Sequence, residues 1–233
     1  MADPTTSTLG TWADPSDGAA PRPVAGQRYE DRGLLGRGGM GEVRRVYDRE
    51  LEREVAMKTL LPDRMHAAAL ERFTRESRLH AGLQHPGIVP VHDAGRLPDG
   101  RLYFTMREIR GRTLADALGD LGLRKAMTAF HRVCEVVAYA HDRGVVHCDL
   151  KPSNIMLGAF GEVLVLDWGI AHAAHGAPRE GGVMGSPRYM APEQARGDGE
   201  PGPPTDVYGL GAVLFQVLAG QPPFAGAADS WSV

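Results

Sequence analysis

The hydrophobic pattern divides the chain into a strand-rich part and a later helix-rich part. Five short stretches have the period of a β-strand: residues 29–35, 42–47, 55–58, 89–92 and 102–106. Helical patterns cover residues 67–83, 114–118, 123–143 and 207–219, the last read as a buried helix. This order predicts a two-lobed α+β fold: a small five-stranded antiparallel sheet with one helix, then a mainly helical lobe, with a cleft between them.

Composition and turn residues set the predicted boundaries. Residues 1–28 are rich in Pro, Ala, Thr, Asp and Gly without periodicity, which predicts a disordered leader. The polar stretch 107–111 ends in glycine and is interpreted as a hinge. We therefore expect a first lobe over residues 29–108 and a second lobe over residues 109–233.

Charge and cysteine content narrow the class of protein. A formal charge of −3 over 233 residues gives no basis for nucleic acid as a partner. The two cysteines form no disulfide framework, which predicts a reducing, cytoplasmic environment. The longest apolar run, 207–219, is too short to cross a bilayer, so no membrane segment is expected.

Three glycines at the start of the first lobe point to a phosphate site. Gly36, Gly38 and Gly41 leave room for backbone N–H groups to approach phosphate oxygens. The same spacing occurs in tight hairpins and in dinucleotide-binding folds. A dinucleotide fold needs a helix directly after the glycines, whereas residues 42–47 are β-branched and aromatic, so we predict a strand–loop–strand unit.

Lys58 and Glu76 are a candidate ion pair. Alternation places Ala56 and Lys58 on one face of their strand, a combination that suits a flat base and its phosphates. Glu76 lies on a largely apolar helical stripe, and a buried carboxylate needs a cationic partner. The alternatives are an exposed lysine on an edge strand and a pair between Glu76 and Arg72 on a solvated face.

Residues 145–169 concentrate the remaining chemistry. Two short apolar runs each deliver an acid just past their ends, Asp149 and Asp167, with Lys151 and Asn154 between them. The chain has only three lysines among 26 basic residues, and Asn154 is its only asparagine. A compact ammonium and a neutral amide oxygen are groups that arginine does not replace, so a chemical demand is indicated.

These motifs together resemble the eukaryotic-like protein kinases of the bacterial Ser/Thr (Hanks) type, over about residues 29–224. The motifs occur in the family's order: GRGGMG at 36–41, VAMK at 55–58, HCDLKPSN at 147–154, DWG at 167–169 and APE at 191–193. The resemblance implies ATP-dependent phosphorylation of serine and threonine hydroxyls on protein substrates, with Mg²⁺. The alternative is a nucleotide-binding scaffold that transfers little phosphate.

Residue roles follow from the resemblance. Lys58 would hold the α- and β-phosphates and pair with Glu76, Asp149 would orient the substrate hydroxyl, and Lys151 would steady the γ-phosphate. Asn154 and Asp167 would bind Mg²⁺. The nucleotide-contacting set would be Leu35, Gly36, Gly38, Gly41, Val43, Ala56, Lys58, Met106, Arg107, Ile109 and Met156, with Met106 at the gatekeeper position.

Two departures from the family pattern concern regulation. Cys148 stands where the family usually has the arginine that binds a phosphate on the activation segment. Between Asp167 and Glu193 the only hydroxyl-bearing residues are Ser186 and Tyr189, both near the APE motif. We therefore expect activity without phosphorylation of this segment. The resemblance also implies that a hydroxyl at Ser186 contacts the catalytic Asp and Lys.

Other departures lie in the second lobe. Trp168 replaces the usual phenylalanine after Asp167, and an indole N–H near His80 is one interpretation. Asp206 resembles the buried acid that supports the catalytic loop. The family's last helices have no counterpart, so we expect either a fragment of a longer kinase or a naturally shortened one. In both cases we expect an uncovered apolar floor and Glu193 without its arginine partner.

Overall fold

The computed structural model describes residues 23–24, 28–38, 41–168, 172–173, 185–197 and 200–226. Contacts divide the chain into two units. One comprises Met1–Gln84 and Val89–Arg110, and the other comprises His85–Ile88 and Gly111–Val233. Most of the predicted disordered leader lies outside the described residues.

The first unit is built on an antiparallel sheet. Its strands are β1 (Pro23–Val24), β2 (Tyr29–Arg37), β3 (Gly41–Asp48), β4 (Arg53–Leu60), β5 (Val91–Arg96) and β6 (Leu102–Met106), in the spatial order β1-β2-β3-β4-β6-β5. The five predicted strands are confirmed, and a two-residue edge strand, β1, adds a sixth within the predicted leader. A sequence of two residues carries no period, so the pattern could not reveal it.

Helix α1 (Ala67–Gly82) packs on one side of this sheet. Its buried face includes Phe73, Glu76 and His80, as the periodicity predicts. Phe73 contacts Phe104 with ring centroids 5.2 Å apart, and both belong to a cluster with Leu60. This packing fixes the rotation of the helix and therefore the direction in which Glu76 points.

The second unit contains four helices in its described part. They are α2 (Leu114–Ala117), α3 (Leu123–Asp142), α4 (Pro192–Arg196) and α5 (Pro203–Ala219). Thr113 caps α2 in a capping box with Asp116. Gly144 follows α3 with a φ of 68°, the left-handed backbone that favours glycine after a helix.

Short strands join these helices and add to the mainly helical lobe that the sequence predicts. A three-stranded antiparallel sheet consists of β7 (Gly111–Thr113), β9 (Ile155–Gly158) and β10 (Val163–Val165). A second ladder pairs β8 (Val145–Val146) with β11 (His172–Ala173). Strands of two or three residues are too short to show a period, and β9 alternates no polar with apolar residues, so their tertiary partners determine them.

Helix α5 is not buried on all sides, contrary to expectation. Val207 and Leu218 are each 62% exposed, and Phe215 is 47% exposed. Asp206, Ala212 and Val213 occupy its buried face. A run of apolar residues predicts a helix but does not show which of its faces have a packing partner. Among the described residues, no helix is long and apolar enough to span a membrane.

Candidate functional site

The predicted site residues fall into two sets, one in each unit. In the first unit, Lys58 on β4 lies with its Nζ 2.5 Å from Glu76 Oε1 on α1. The Glu76 side chain is 5% exposed and that of Lys58 is 14% exposed. The carboxylate that the periodicity placed on an apolar face is thus buried against a cation, as a buried acid requires.

An apolar surface lies on the Lys58 side of the sheet. Leu35, Val43 and Ala56 form a buried cluster against which Met106 packs. Val43 is paired with Lys58, and Ala56 is paired with Met106, across neighbouring strands. Ala56 and Lys58 lie two residues apart on β4, so the side chains of Val43, Lys58, Ala56 and Met106 share one face of the sheet. This surface is flat and apolar beside a cation, which suits a base and its phosphates. Met156, the fifth predicted residue of this surface, is buried in β9 of the second unit.

The three predicted glycines join two strands, as expected. Gly36 lies near the end of β2, and the N–H of Gly38 donates to the Gly41 carbonyl at 2.8 Å. A Cβ at Gly41 would lie 2.5 Å from the Thr59 carbonyl oxygen. Gly41 is therefore required by close strand packing, a reason that is independent of any ligand.

The predicted hinge has no regular secondary structure at residues 107–110, and its last residue, Gly111, begins β7. Arg107 and Ile109 lie in the stretch between the end of β6 and the start of β7. Both belong to the first unit, which extends to Arg110. Backbone groups outside a sheet ladder are the kind that can bond the edge of a ligand.

In the second unit, Asp149 and Lys151 form a buried pair. Lys151 Nζ lies 2.9 Å from Asp149 Oδ2 and donates to the Ser186 hydroxyl at 2.7 Å. The Ser186 backbone N–H donates to Asp149 Oδ1 at 3.0 Å. Ser186 thus contacts both residues, through its hydroxyl to the lysine and through its backbone to the acid.

Asn154 fits the role of a metal ligand. Its Nδ2 donates to the Asp149 carbonyl at 2.9 Å, which leaves Oδ1 buried and without a hydrogen-bond partner among the described residues. A buried carbonyl oxygen without a donor is costly unless a cation satisfies it. No group of three or more His, Cys, Asp or Glu side chains in the described part could hold a metal alone. An amide and one acid, Asp167, suit Mg²⁺ that is also held by phosphates.

His147 links the segments that carry the two acids, a role that the sequence reasoning missed. The ring Nε2 lies 2.9 Å from the Leu166 carbonyl, and the Asp149 N–H donates to Nδ1 at 3.2 Å. A carbonyl can only accept, so Nε2 carries the proton and the ring is neutral. The imidazole is fully buried and packs against Trp168, with ring centroids 4.8 Å apart and ring planes tilted by 56°. Only the motif position of His147 could have indicated this role.

Asp206 on α5 supports the same loop from beneath. Its two carboxylate oxygens accept the backbone N–H groups of His147 and Cys148, each at 2.8 Å. His141 Nε2 lies 2.8 Å from the same carboxylate. Gln194, which the sequence reasoning also missed, donates to the Cys148 carbonyl at 2.9 Å. The loop is therefore held through its backbone.

This support maintains an unusual backbone conformation. Cys148 has a φ of 68° and Asp167 has a φ of 60°, in the left-handed region that side chains with a Cβ rarely adopt. Such residues persist where the surrounding contacts determine their conformation. The Cys148 thiol is buried and directed to the Val146 carbonyl at 3.6 Å, so it does not face solvent.

Trp168 and Glu193 have hydrogen-bond partners that the sequence reasoning did not identify. The indole N–H of Trp168 donates to the Val165 carbonyl at 3.2 Å within its own unit, which is not the contact near His80 that we considered. Glu193 accepts a hydrogen bond from the Thr205 hydroxyl at 2.9 Å, a neutral partner that differs from the arginine usual in the family. A hydroxyl one turn into α5 is not recognisable from sequence as the partner of an acid.

Comparisons with known proteins agree with this arrangement. The family model described as "Protein kinase domain" matches residues 29–232. Serine/threonine-protein kinase PknB of Mycobacterium tuberculosis is 40% identical over 210 residues, covering 85% of this chain and 33% of the relative. Serine/threonine-protein kinase PknD of Chlamydia caviae is 36% identical over 226 residues, covering 82% of this chain and 24% of the relative. The chain spans a third or less of the length of these two relatives.

Proposed function

Because this chain belongs to the protein kinase family, we propose that it transfers the γ-phosphoryl group of ATP to serine or threonine hydroxyls of protein substrates. The observation that carries the proposal is the buried Asp149–Lys151 pair with the Ser186 hydroxyl on the lysine. It combines an acid that can accept a hydroxyl proton with a cation that can neutralise a phosphate. The relatives named as Ser/Thr kinases support the same substrate class.

The proposed residue roles are those that the resemblance to the family implies. Asp149 orients the substrate hydroxyl and Lys151 neutralises charge on the phosphoryl group. Lys58, held by Glu76, binds the α- and β-phosphates. The surface formed by Leu35, Val43, Ala56 and Met106 holds the adenine, with Met156 completing the set. Arg107 and Ile109 contribute backbone groups, and the glycine loop of Gly36, Gly38 and Gly41 covers the phosphates.

Mg²⁺ is the metal that these residues fit. Asn154 Oδ1 and the Asp167 carboxylate would hold it, and the ion supplies positive charge where the transferring phosphoryl group becomes more negative. We also propose a cytoplasmic location, because Cys134 and Cys148 are both free thiols, and a signalling role, because the relatives are named as protein kinases.

The activity test measures transfer of ³²P from labelled ATP with Mg²⁺ to a general protein substrate such as casein. The expected product is a phosphoester that is stable in acid and labile in alkali, as phosphoserine and phosphothreonine are. Nucleotide binding in calorimetry without labelled product would support the scaffold alternative instead.

Glu76→Gln should lower kcat/KM for ATP by about 10²-fold, because an uncharged amide no longer holds the buried Lys58 ammonium in place. Steady-state kinetics at varied ATP concentration measures this. Glu71→Gln, an exposed position on the same helix, removes the same charge and should leave kcat/KM unchanged. Equal kinetics for the two variants would contradict the role of the pair.

The chain should be active without phosphate on its activation segment. Ser186 already binds Lys151 through its hydroxyl, and Tyr189 is bonded to Gln216, with burial raising its pKa to about 12. Both hydroxyl groups therefore already form hydrogen bonds in the described structure. Phosphatase-treated protein, shown by mass spectrometry to carry no phosphate, should keep its initial rate. Inactivity until Ser186 or Tyr189 is phosphorylated would refute this hypothesis.

A further inference from the structure

A two-pronged ion pair connects the hinge stretch to the sheet of the first unit. Arg45 on β3 donates from Nε to Glu108 Oε2 at 2.7 Å and from Nη2 to Glu108 Oε1 at 2.6 Å. The Glu108 side chain is 8% exposed and that of Arg45 is 25% exposed. A planar guanidinium that meets both carboxylate oxygens fixes orientation as well as distance.

The position of Glu108 makes this geometry relevant to the site. Glu108 lies between Arg107 and Ile109, the two residues whose backbone groups are proposed to bond the adenine edge. These residues have no ladder hydrogen bonds to hold their peptide planes. The side chain between them is therefore a direct means of setting the orientation of both peptides.

Arg45 lies on the same face of the sheet as the apolar surface described above. Arg45 pairs with Ala56 across β3 and β4, and Ala56 pairs with Met106 across β4 and β6. Directly paired residues share a face of the sheet, so Arg45 projects from the same face as Ala56 and Met106. The ion pair thus connects the hinge stretch to β3, one of the strands that carry the proposed base-binding surface.

We propose that the Arg45–Glu108 pair is a positioning element that sets the hinge backbone for adenine and so determines selectivity for the base. This inference rests on the proposed function, since it concerns the base of the same nucleotide. Adenine presents an amino donor and a ring-nitrogen acceptor on the edge in question, whereas hypoxanthine presents a carbonyl acceptor and a ring N–H donor. A backbone held in one orientation favours the first pattern and opposes the second.

The neighbouring residue offers a matched control. Arg44 binds Asp31 with the same two-pronged geometry, from Nε at 2.9 Å and from Nη2 at 2.6 Å. This pair is more buried, with the side chains 13% and 0% exposed. Arg44 pairs with Met57 and lies on the opposite face of the sheet, away from the hinge side. Its loss should reduce stability at least as much without changing base selectivity.

The test measures affinity for ADP and for inosine diphosphate by calorimetry on the whole chain, which requires no phosphoryl transfer. The unchanged protein should prefer ADP, and Arg45→Ala should reduce the ratio of the two affinities about tenfold, the equivalent of one weakened hydrogen bond. Arg44→Ala should leave the ratio within about twofold of its starting value. Thermal unfolding of each variant records its effect on the fold.

Three results would overturn the inference. The first is an Arg45→Ala variant that weakens both diphosphates equally, and the second is one that weakens neither. The third is an unchanged protein without preference for ADP. If Arg45→Ala does not fold, the nearly isosteric Glu108→Gln variant is used to test the inference. It should lower the ratio of the affinity for ADP to that for inosine diphosphate at least about threefold. A separate outcome is that the unchanged protein prefers ADP, Arg45→Ala loses this preference, and no kinase activity is detected. That outcome would contradict the proposed function and leave the positioning role of the ion pair standing.

Discussion

Asp149→Asn should reduce kcat by about 10³-fold while nucleotide affinity stays unchanged. Both carboxylate oxygens accept hydrogen bonds, Oδ2 from Lys151 and Oδ1 from the Ser186 N–H. An amide has one acceptor oxygen, so its NH₂ group must face one of these donors. The substitution therefore removes the base and disturbs its two contacts together. Initial rates at saturating ATP and protein substrate measure the effect.

Asp142→Asn is the control for Asp149→Asn. Asp142 is the last residue of α3, its side chain is 81% exposed, and its substitution removes the same charge. Its kcat should equal that of the unchanged chain. A kcat for Asp149→Asn within tenfold of the control would show that phosphoryl transfer here does not depend on this carboxylate.

Asp206→Ala should lower the free energy of unfolding by about 3–5 kcal/mol and abolish activity. The change leaves the N–H groups of His147 and Cys148 buried without an acceptor. It also removes the partner of His141 Nε2. Unsatisfied buried donors are among the most destabilising defects that a single substitution produces. Urea denaturation followed by circular dichroism measures the free energy.

Two further variants serve as comparisons for Asp206→Ala. Val207→Ala changes an exposed neighbour on the same helix and should alter stability by less than about 0.5 kcal/mol. Asp206→Asn keeps one acceptor oxygen, so it should lie between the unchanged chain and the alanine variant. Equal stability of Asp206→Ala and Val207→Ala would show that the carboxylate does not support the loop.

Elements long enough to repeat their hydrophobic period were predictable from the sequence. The alternation that placed Ala56 and Lys58 on one face, and the helical spacing that buried Glu76, determine side-chain direction through backbone geometry alone. Strands β2, β3, β4 and β6 and helix α1 accordingly lie where the pattern predicts. The geometry of Lys58 and Glu76 follows from these two elements.

Contacts of residues that no periodic or charge pattern singles out were not predictable. Thr205 and Glu193 meet because α4 and α5 are brought together, and a threonine at that position has no distinguishing pattern. The bridging position of His147 likewise depends on the path of the chain at Leu166. Gly41 shows the reverse case, since the phosphate explanation was available from the motif and the sheet packing was not.

The left-handed backbone at Cys148 has a consequence for the order in which the domain is made. Local preferences oppose this conformation, and the Asp206 carboxylate that holds it lies 58 residues further along the chain. Synthesis proceeds from the N-terminus, so the loop emerges well before its support does. The nascent chain therefore completes its sheet first and acquires a defined catalytic loop only after α5 has been synthesised and has docked.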